Sequence, residues 1–126
     1  MKQAVMLFVI VSLWSCAGGQ IVPNAVSYNN TCTFTYESAS AASVNLTGDF
    51  NNWDAASLPM QKLDRKTWVL RMHLAEGIYH YQFIINHDIR VVPPYADAYA
   101  SDGFGGRDGI VLVGRGLHGE EKHVTE

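Results

Sequence analysis

The stretch Val44-Asn45-Leu46-Thr47-Gly48-Asp49-Phe50-Asn51-Asn52-Trp53-Asp54 is the part of the sequence that decides the fold. Apolar or small residues alternate with polar ones through its first half, which is the period-2 pattern of a strand with one buried face. The second half is rich in Gly, Asp and Asn, which accept the backbone geometries of sharp turns. The stretch therefore predicts a strand that ends in a tight corner, with Phe50 folded inward and Trp53 carried outward.

Strand patterns continue on both sides of this corner. Counting the strand at 43–49, the sequence predicts seven, the others lying at 31–36, 58–63, 67–74, 78–86, 89–92 and 110–113. Residues 21–30 read as an irregular lead-in, and residues 95–108 as a long loop without a regular element. Short strands separated by frequent turn signals predict an all-β fold, an antiparallel β-sandwich.

Size and charge narrow the classes of partner. The chain has 126 residues, 48% of them hydrophobic and 17% charged, which is the composition of one globular domain. Its formal net charge is −3, and its nine Lys and Arg are scattered. Nucleic acid is therefore not an expected partner, because phosphate binding needs a clustered positive field.

The N-terminus has the pattern of a secretory signal peptide over residues 1–15, with Lys2 before an apolar run. The residues Leu13-Trp14-Ser15-Cys16 resemble a bacterial lipoprotein box, although Trp14 departs from it. This resemblance implies an acylated Cys16, a lipidated tether over 16–30 and a location at the bacterial cell envelope, periplasmic or surface-exposed. Residues 114–126 lack a periodic apolar face and are predicted to be a mobile tail.

The two cysteines leave an alternative open. If Cys16 is acylated, Cys32 has no partner and is a small buried residue of its strand. If Cys16 is not acylated, a bridge between Cys16 and Cys32 is compatible with an oxidising compartment.

Four motifs in a fixed order carry a family resemblance. They are LTGDFNNW at 46–53, Trp68 with Leu74, EGIYHYQF at 76–83 and DGFGGR at 102–107. Together they resemble the family-48 carbohydrate-binding module, which includes the glycogen-binding domain of the AMP-activated protein kinase β subunit and the early-set domains of isoamylases. The resemblance covers residues 31–113 and implies an immunoglobulin-like sandwich that binds α-1,4-linked glucan.

The resemblance also implies which residues touch sugar. Trp53 matches the first tryptophan platform of the kinase-subunit domain, and Gln82 stands where that domain has a sugar-bonding lysine. Ile89 replaces its second tryptophan, and Asp108 falls near its sugar-bonding asparagine. His80 and Asn52 lie beside these positions and complete the candidate site.

Each candidate has a structural alternative. Trp53 could cap the edge of the sandwich, Gln82 could be an ordinary solvated residue, and Asp108 could be a turn residue before a glycine. The aromatics Tyr95, Tyr99 and Phe104 either add sugar contacts or pin the long loop by packing.

Catalysis and metal binding are not expected. The five His show no ligand spacing such as two on one helical turn, so neither a metal nor a cofactor is predicted. The carboxylates lie in turns rather than in the paired arrangement of a glycosidase, and no nucleophile motif is present.

Two functions follow from these observations. The first is a non-catalytic carbohydrate-binding module on the bacterial envelope, which binds α-glucan weakly and has a glycan-active enzyme as its candidate partner. The second is an envelope module of the same fold that binds a protein partner and no longer binds sugar.

Overall fold

The structure is a computed structural model that describes residues 21–114. The predicted signal peptide, Cys16 with its predicted lipid or bridge, and residues 115–126 of the predicted tail lie outside the described residues. Within 21–114 no helix has the length and apolar character needed to cross a membrane.

Nine strands make up the described part of the chain. They are β1 (Ala25–Tyr28), β2 (Thr31–Glu37), β3 (Val44–Gly48), β4 (Gln61–Lys62), β5 (Thr67–His73), β6 (Gly77–Ile85), β7 (Ile89–Val91), β8 (Ala98–Ser101) and β9 (Arg107–Val113). A 3₁₀ turn, Asp49–Asn51, follows β3 directly.

The strands form two antiparallel sheets. One sheet has the order β1-β2-β5-β4, and the other has the order β3-β6-β9-β8, with β7 added to β6. The β2–β5 pairing runs from Thr31 opposite His73 to Glu37 opposite Thr67. The predicted all-β, immunoglobulin-like sandwich of antiparallel strands is confirmed.

Two strands were not predicted. β1 lies in the stretch expected to be an irregular lead-in, and β8 lies in the stretch expected to be a loop. In β1 the small residues Ala25 and Ser27 are buried while Val26 and Tyr28 are exposed, so no large apolar face marks this strand in the sequence. β8 is an edge strand that pairs only with β9, and edge strands carry a weaker burial pattern.

Asn24 ties β1 to the rest of the sandwich. Its side-chain amide donates to the Thr35 carbonyl at 2.8 Å, and its side-chain oxygen accepts from the Tyr95 backbone N–H at 2.6 Å. Because Asn24 is almost fully buried, these bonds fix the lead-in where the sequence suggested a tether.

Aromatic rings fill the space between the sheets. Phe34 packs against Tyr81 with ring centroids 5.2 Å apart and against Phe50 at 5.6 Å, while Tyr36 packs against Phe83 at 4.9 Å. Such tilted and edge-on pairs are the favoured geometries of aromatic side chains. Phe50 therefore folds inward, as predicted.

β3 differs from the half-buried strand that its alternation predicted, because all five of its residues are buried. The chain that follows the corner returns along β3, where the Leu46 N–H donates to the Leu58 carbonyl and the Met60 N–H donates to the Val44 carbonyl. The outer side chain of Asn45 donates to the Ala55 carbonyl at 2.8 Å. This return covers the outer face of β3 and fixes the corner beside it.

Candidate functional site

The corner after β3 is held together by the side chain of Asn51. Its oxygen accepts from the Gly48 backbone N–H at 3.0 Å, and its nitrogen donates to the Asp54 carbonyl at 2.9 Å and to the Ser57 hydroxyl at 3.0 Å. An asparagine that bonds nearby backbone groups replaces the pairing that the strand loses where it ends. The corner is therefore a fixed turn.

Trp53 stands at the end of this corner in a left-handed backbone conformation, with φ of 58°. Its backbone N–H donates to the Gly48 carbonyl at 2.9 Å, and its indole Nε1 donates to Asp49 Oδ1 at 3.1 Å. The indole is half-buried, so part of the ring is open to solvent. Both ends of the residue are held, which fixes the direction of the ring.

A groove of about 490 Å³ opens beside the indole. Residues from four separate parts of the chain line it: the corner, β6, β7 and the hairpin that β8 and β9 form with their connecting loop. The described lining residues are Asp49, Trp53, His80, Gln82, Arg90, Ser101, Asp102, Phe104 and Asp108. The structure thus brings together four of the six predicted residues, namely Trp53, Gln82, His80 and Asp108.

Gln82 and Asp108 form a polar pair within the groove. The Gln82 amide donates to Asp108 Oδ1 at 2.8 Å and to the Arg107 carbonyl at 3.2 Å, and His80 Nδ1 lies 3.5 Å from Asp108 Oδ2. Both Gln82 and Asp108 are more than nine-tenths buried. The alternative interpretation of Gln82 as an ordinary solvated residue is therefore wrong, and Asp108 is a bonded part of the groove rather than an exposed turn residue.

Ile89 and Asn52 are not among the described residues that line the groove. Ile89 lies opposite the core residue Ile85, whereas its neighbour Arg90 lies opposite Ile84. Because successive side chains of a strand point to opposite faces, β7 presents Arg90 to the groove and not Ile89. Asn52 is exposed at the turn that carries Trp53.

Phe104 lines the groove from the loop between β8 and β9 and is 94% exposed. Its loop is held by Asp102, whose Oδ1 accepts from the Phe104 N–H at 2.8 Å and from the Gly106 N–H at 3.0 Å. The expectation that Phe104 pins the loop by packing is wrong. Tyr99 does hold the long loop, because its hydroxyl donates to the Pro93 carbonyl at 2.6 Å.

Residues 30–112, about two thirds of the chain, match the family described as the glycogen recognition site of AMP-activated protein kinase. The chain belongs to this family. The predicted relationship to the family-48 carbohydrate-binding module is thereby confirmed. No curated protein matches the chain.

Four residues that line the groove were not predicted from the sequence. Asp49, Arg90, Ser101 and Asp102 were not proposed, although strand alternation on β7 could have pointed to Arg90. Asp49 and Asp102 lie in turns, for which sequence offers no periodicity, and Ser101 ends β8, a strand that the sequence did not predict. Within residues 21–114 of this glycogen-recognition module, no three His, Cys, Asp or Glu residues gather as a metal site would require.

Proposed function

We propose that this chain is a non-catalytic module that binds α-1,4-linked glucan in the groove beside Trp53. The observation that carries the proposal is a half-exposed indole, fixed at its backbone and at Nε1, beside a row of polar groups. A pyranose ring has an apolar face that stacks on an aromatic ring, while its hydroxyls need hydrogen-bonding partners at the edge. The groove has both features.

Prior ordering of the ring supports binding. A side chain that is already held in place loses little rotational freedom when a ligand arrives, so less of the contact energy is spent on ordering. The exposed Phe104 adds a second aromatic wall, which offsets the absence of a ring at Ile89. One or two stacked rings with a few hydrogen bonds correspond to a Kd of roughly millimolar to tens of micromolar.

The carboxylates of the groove support a binding role over hydrolysis. Asp49, Asp102 and Asp108 each accept hydrogen bonds from the protein itself. Glycoside hydrolysis needs one carboxyl group to give a proton and another to attack or activate water, so both must face the scissile bond. Carboxylates that hold loops and side chains in place act as structural acceptors.

Titration of maltoheptaose into the full chain tests this proposal, with amide chemical shifts and tryptophan fluorescence as readouts. We expect shifts at Trp53, His80 and Gln82 in the wild type and at least tenfold weaker binding for Trp53→Ala. Tyr28→Ala is the matched control, because Tyr28 is 76% exposed on the opposite sheet, and it should bind as the wild type does. The absence of shifts at ~10 mM sugar would refute glucan binding. Cellohexaose, with β-1,4 linkages, should bind more weakly.

We further propose that a lipid at Cys16 holds the module at the bacterial envelope, where glucan binding would bring a glycan-active enzyme to its substrate. The support is the lipoprotein-like sequence Leu13-Trp14-Ser15-Cys16 after an apolar run. Cys16→Ala should move the protein from the membrane fraction to the soluble fraction, because acyl chains bind membranes by roughly 0.8 kcal/mol per buried methylene. An unchanged membrane fraction would contradict the anchor.

A protein-binding role is the second candidate, and the open edge strand β8 is the observation that favours it. β8 pairs with β9 on one side only and is partly exposed, so its other edge offers unpaired backbone groups to a partner strand. Ala98→Lys would place a charge at this open edge and should abolish capture of such a partner. Sugar titrations should be unchanged, because Ala98 is exposed and does not line the groove. Equal capture by both proteins would contradict the role of this edge.

A further inference from the structure

Most polar groups of the groove are already engaged by the protein. Asp49 Oδ1 accepts from the Trp53 indole and Oδ2 accepts from the His80 backbone N–H at 2.8 Å. The amide nitrogen of Gln82 donates to Asp108 and to the Arg107 carbonyl. Gln82 therefore has no N–H left for a sugar, although it occupies the position where the family resemblance implied a sugar-bonding donor.

Arg90 is the exception. It is exposed in the middle of β7 and lines the groove, and its guanidinium makes no hydrogen bond or ion pair with any residue between 21 and 114. Its guanidinium carries five N–H donors in a planar fork and accepts no hydrogen bonds. The groove thus contains one strong donor that is aimed at no protein acceptor.

The position of Arg90 follows from the register of β7 on β6. Arg90 lies opposite Ile84, which is two residues from Gln82 along β6. Residues two apart on a strand share a face, so Arg90 stands on the face that carries Gln82 and His80. The guanidinium therefore reaches the groove from the side of β7, while the indole reaches it from the corner after β3.

We propose that Arg90 is the specificity-determining donor of this groove, and that its two-pronged fork bonds the neighbouring equatorial hydroxyls of a neutral pyranose stacked on Trp53. This inference rests on the proposed glucan binding. Adjacent equatorial hydroxyls, such as those on C2 and C3 of glucose, present two acceptor oxygens on the same edge of the ring. A planar pair of N–H groups matches two such oxygens, whereas a lysine offers only a point charge.

The charges around Arg90 indicate a neutral ligand. The described lining residues include three carboxylates, those of Asp49, Asp102 and Asp108, against the single guanidinium of Arg90. An anionic sugar would gain attraction to one cation and repulsion from three anions in the same groove. A neutral hydroxyl pair takes the hydrogen bonds without that repulsion.

Binding of maltoheptaose to Arg90 variants of the full chain tests the inference. We expect Arg90→Gln to weaken binding about tenfold, which corresponds to about 1.4 kcal/mol, and Arg90→Lys to weaken it less. Arg71→Gln removes the same charge from an exposed position on β5 of the other sheet and should bind as the wild type does. The wild-type Kd should be the same at low and high salt, because the ligand is uncharged.

The outcomes separate the inference from the proposed function. If wild-type protein binds maltoheptaose and Trp53→Ala does not, but Arg90→Gln binds within twofold of the wild type, the inference alone is overturned. Tighter binding of phosphorylated maltodextrin, weakened by salt, would overturn the assignment to a neutral ligand. If the wild type binds no glucan, both proposals fall. Amide spectra of Arg90→Gln should match the wild type away from the substituted site, because Arg90 is exposed.

Discussion

The carboxylate of Asp49 joins two parts of the site that are distant in sequence. One oxygen holds the indole of Trp53, and the other accepts the backbone N–H of His80 at the point where β3 has ended and no longer pairs with β6. A carboxylate can accept two such bonds at once, because both of its oxygens are acceptors. Asp49 therefore fixes the position of the Trp53 indole relative to β6.

Asp49→Asn should weaken maltoheptaose binding roughly three- to tenfold and lower the free energy of unfolding by about 1–2 kcal/mol. An amide has one acceptor oxygen, so its NH₂ group would face either the indole N–H or the backbone N–H of His80. Sugar titration and urea denaturation measure the two effects. Asp88→Asn is the control, because Asp88 is exposed in the β6–β7 turn and does not line the groove. Equal affinity in both variants would contradict the role given to Asp49.

At the scale of elements, the end of β3 depends on close approach to β6. A Cβ at Gly48 would overlap the carbonyl oxygen of His80 and lie 2.9 Å from Cζ of Phe50. Backbone groups of a central strand cannot move away without breaking their own pairing. Position 48 therefore has room for a glycine but not for a residue with a Cβ.

Gly48→Ala should lower the free energy of unfolding by about 2–4 kcal/mol, since the added methyl overpacks a fixed backbone and the core ring of Phe50. The comparison variant is Gly103→Ala, in the loop that carries Phe104. A Cβ there meets nothing within 4 Å, and the left-handed φ of 82° is its only strain, which costs about 1 kcal/mol. Urea denaturation at 25 °C compares the two, and equal midpoints would contradict the overlap at Gly48.

At the scale of the whole molecule, the burial of one thiol and two phenol groups makes the free energy of unfolding fall at alkaline pH. Burial raises the pKa of the Cys32 thiol and the Tyr36 phenol, and burial together with the charge of Asp97 raises the pKa of Tyr81 strongly. The unfolded chain releases these protons near the ordinary pKa values of 9.0 and 10.0, while the folded chain keeps them. These groups therefore contribute their full stabilisation below about pH 8, and the free energy of unfolding falls as the pH rises through those pKa values.

Tyr81→Phe isolates the largest contribution. Tyr81 is fully buried, and its hydroxyl has no hydrogen-bond partner among residues 21–114, so its removal should leave stability at pH 7 unchanged or about 1 kcal/mol higher. Above pH 10 the variant should lose stability less steeply, by up to about 1.4 kcal/mol per pH unit. Urea denaturation from pH 7 to 11 measures both effects. A loss of more than about 2 kcal/mol at pH 7 would show that the hydroxyl is bonded in the folded protein.

The strands and the site were predictable to different extents. Alternation and turn signals together located seven of the nine strands, because burial of one face leaves a period-2 record and turn residues mark where strands end. It missed β1, where small residues face the core and large ones face solvent. It also misjudged β3, whose outer face is covered by a later segment, and no local pattern records that cover.

The sequence by itself determined the antiparallel sandwich, its family and the corner that presents Trp53, because each is recorded in short motifs and alternating patterns along the chain. Only the tertiary structure decided which residues share the groove with the indole. Strand pairing and loop packing put Arg90 and Phe104 there, tied Gln82 to Asp108 and turned Ile89 away. The physical reason is that the groove lies between segments far apart in sequence. Which residues line it depends on the register of β7 on β6 and on where the corner after β3 and the loop between β8 and β9 pack.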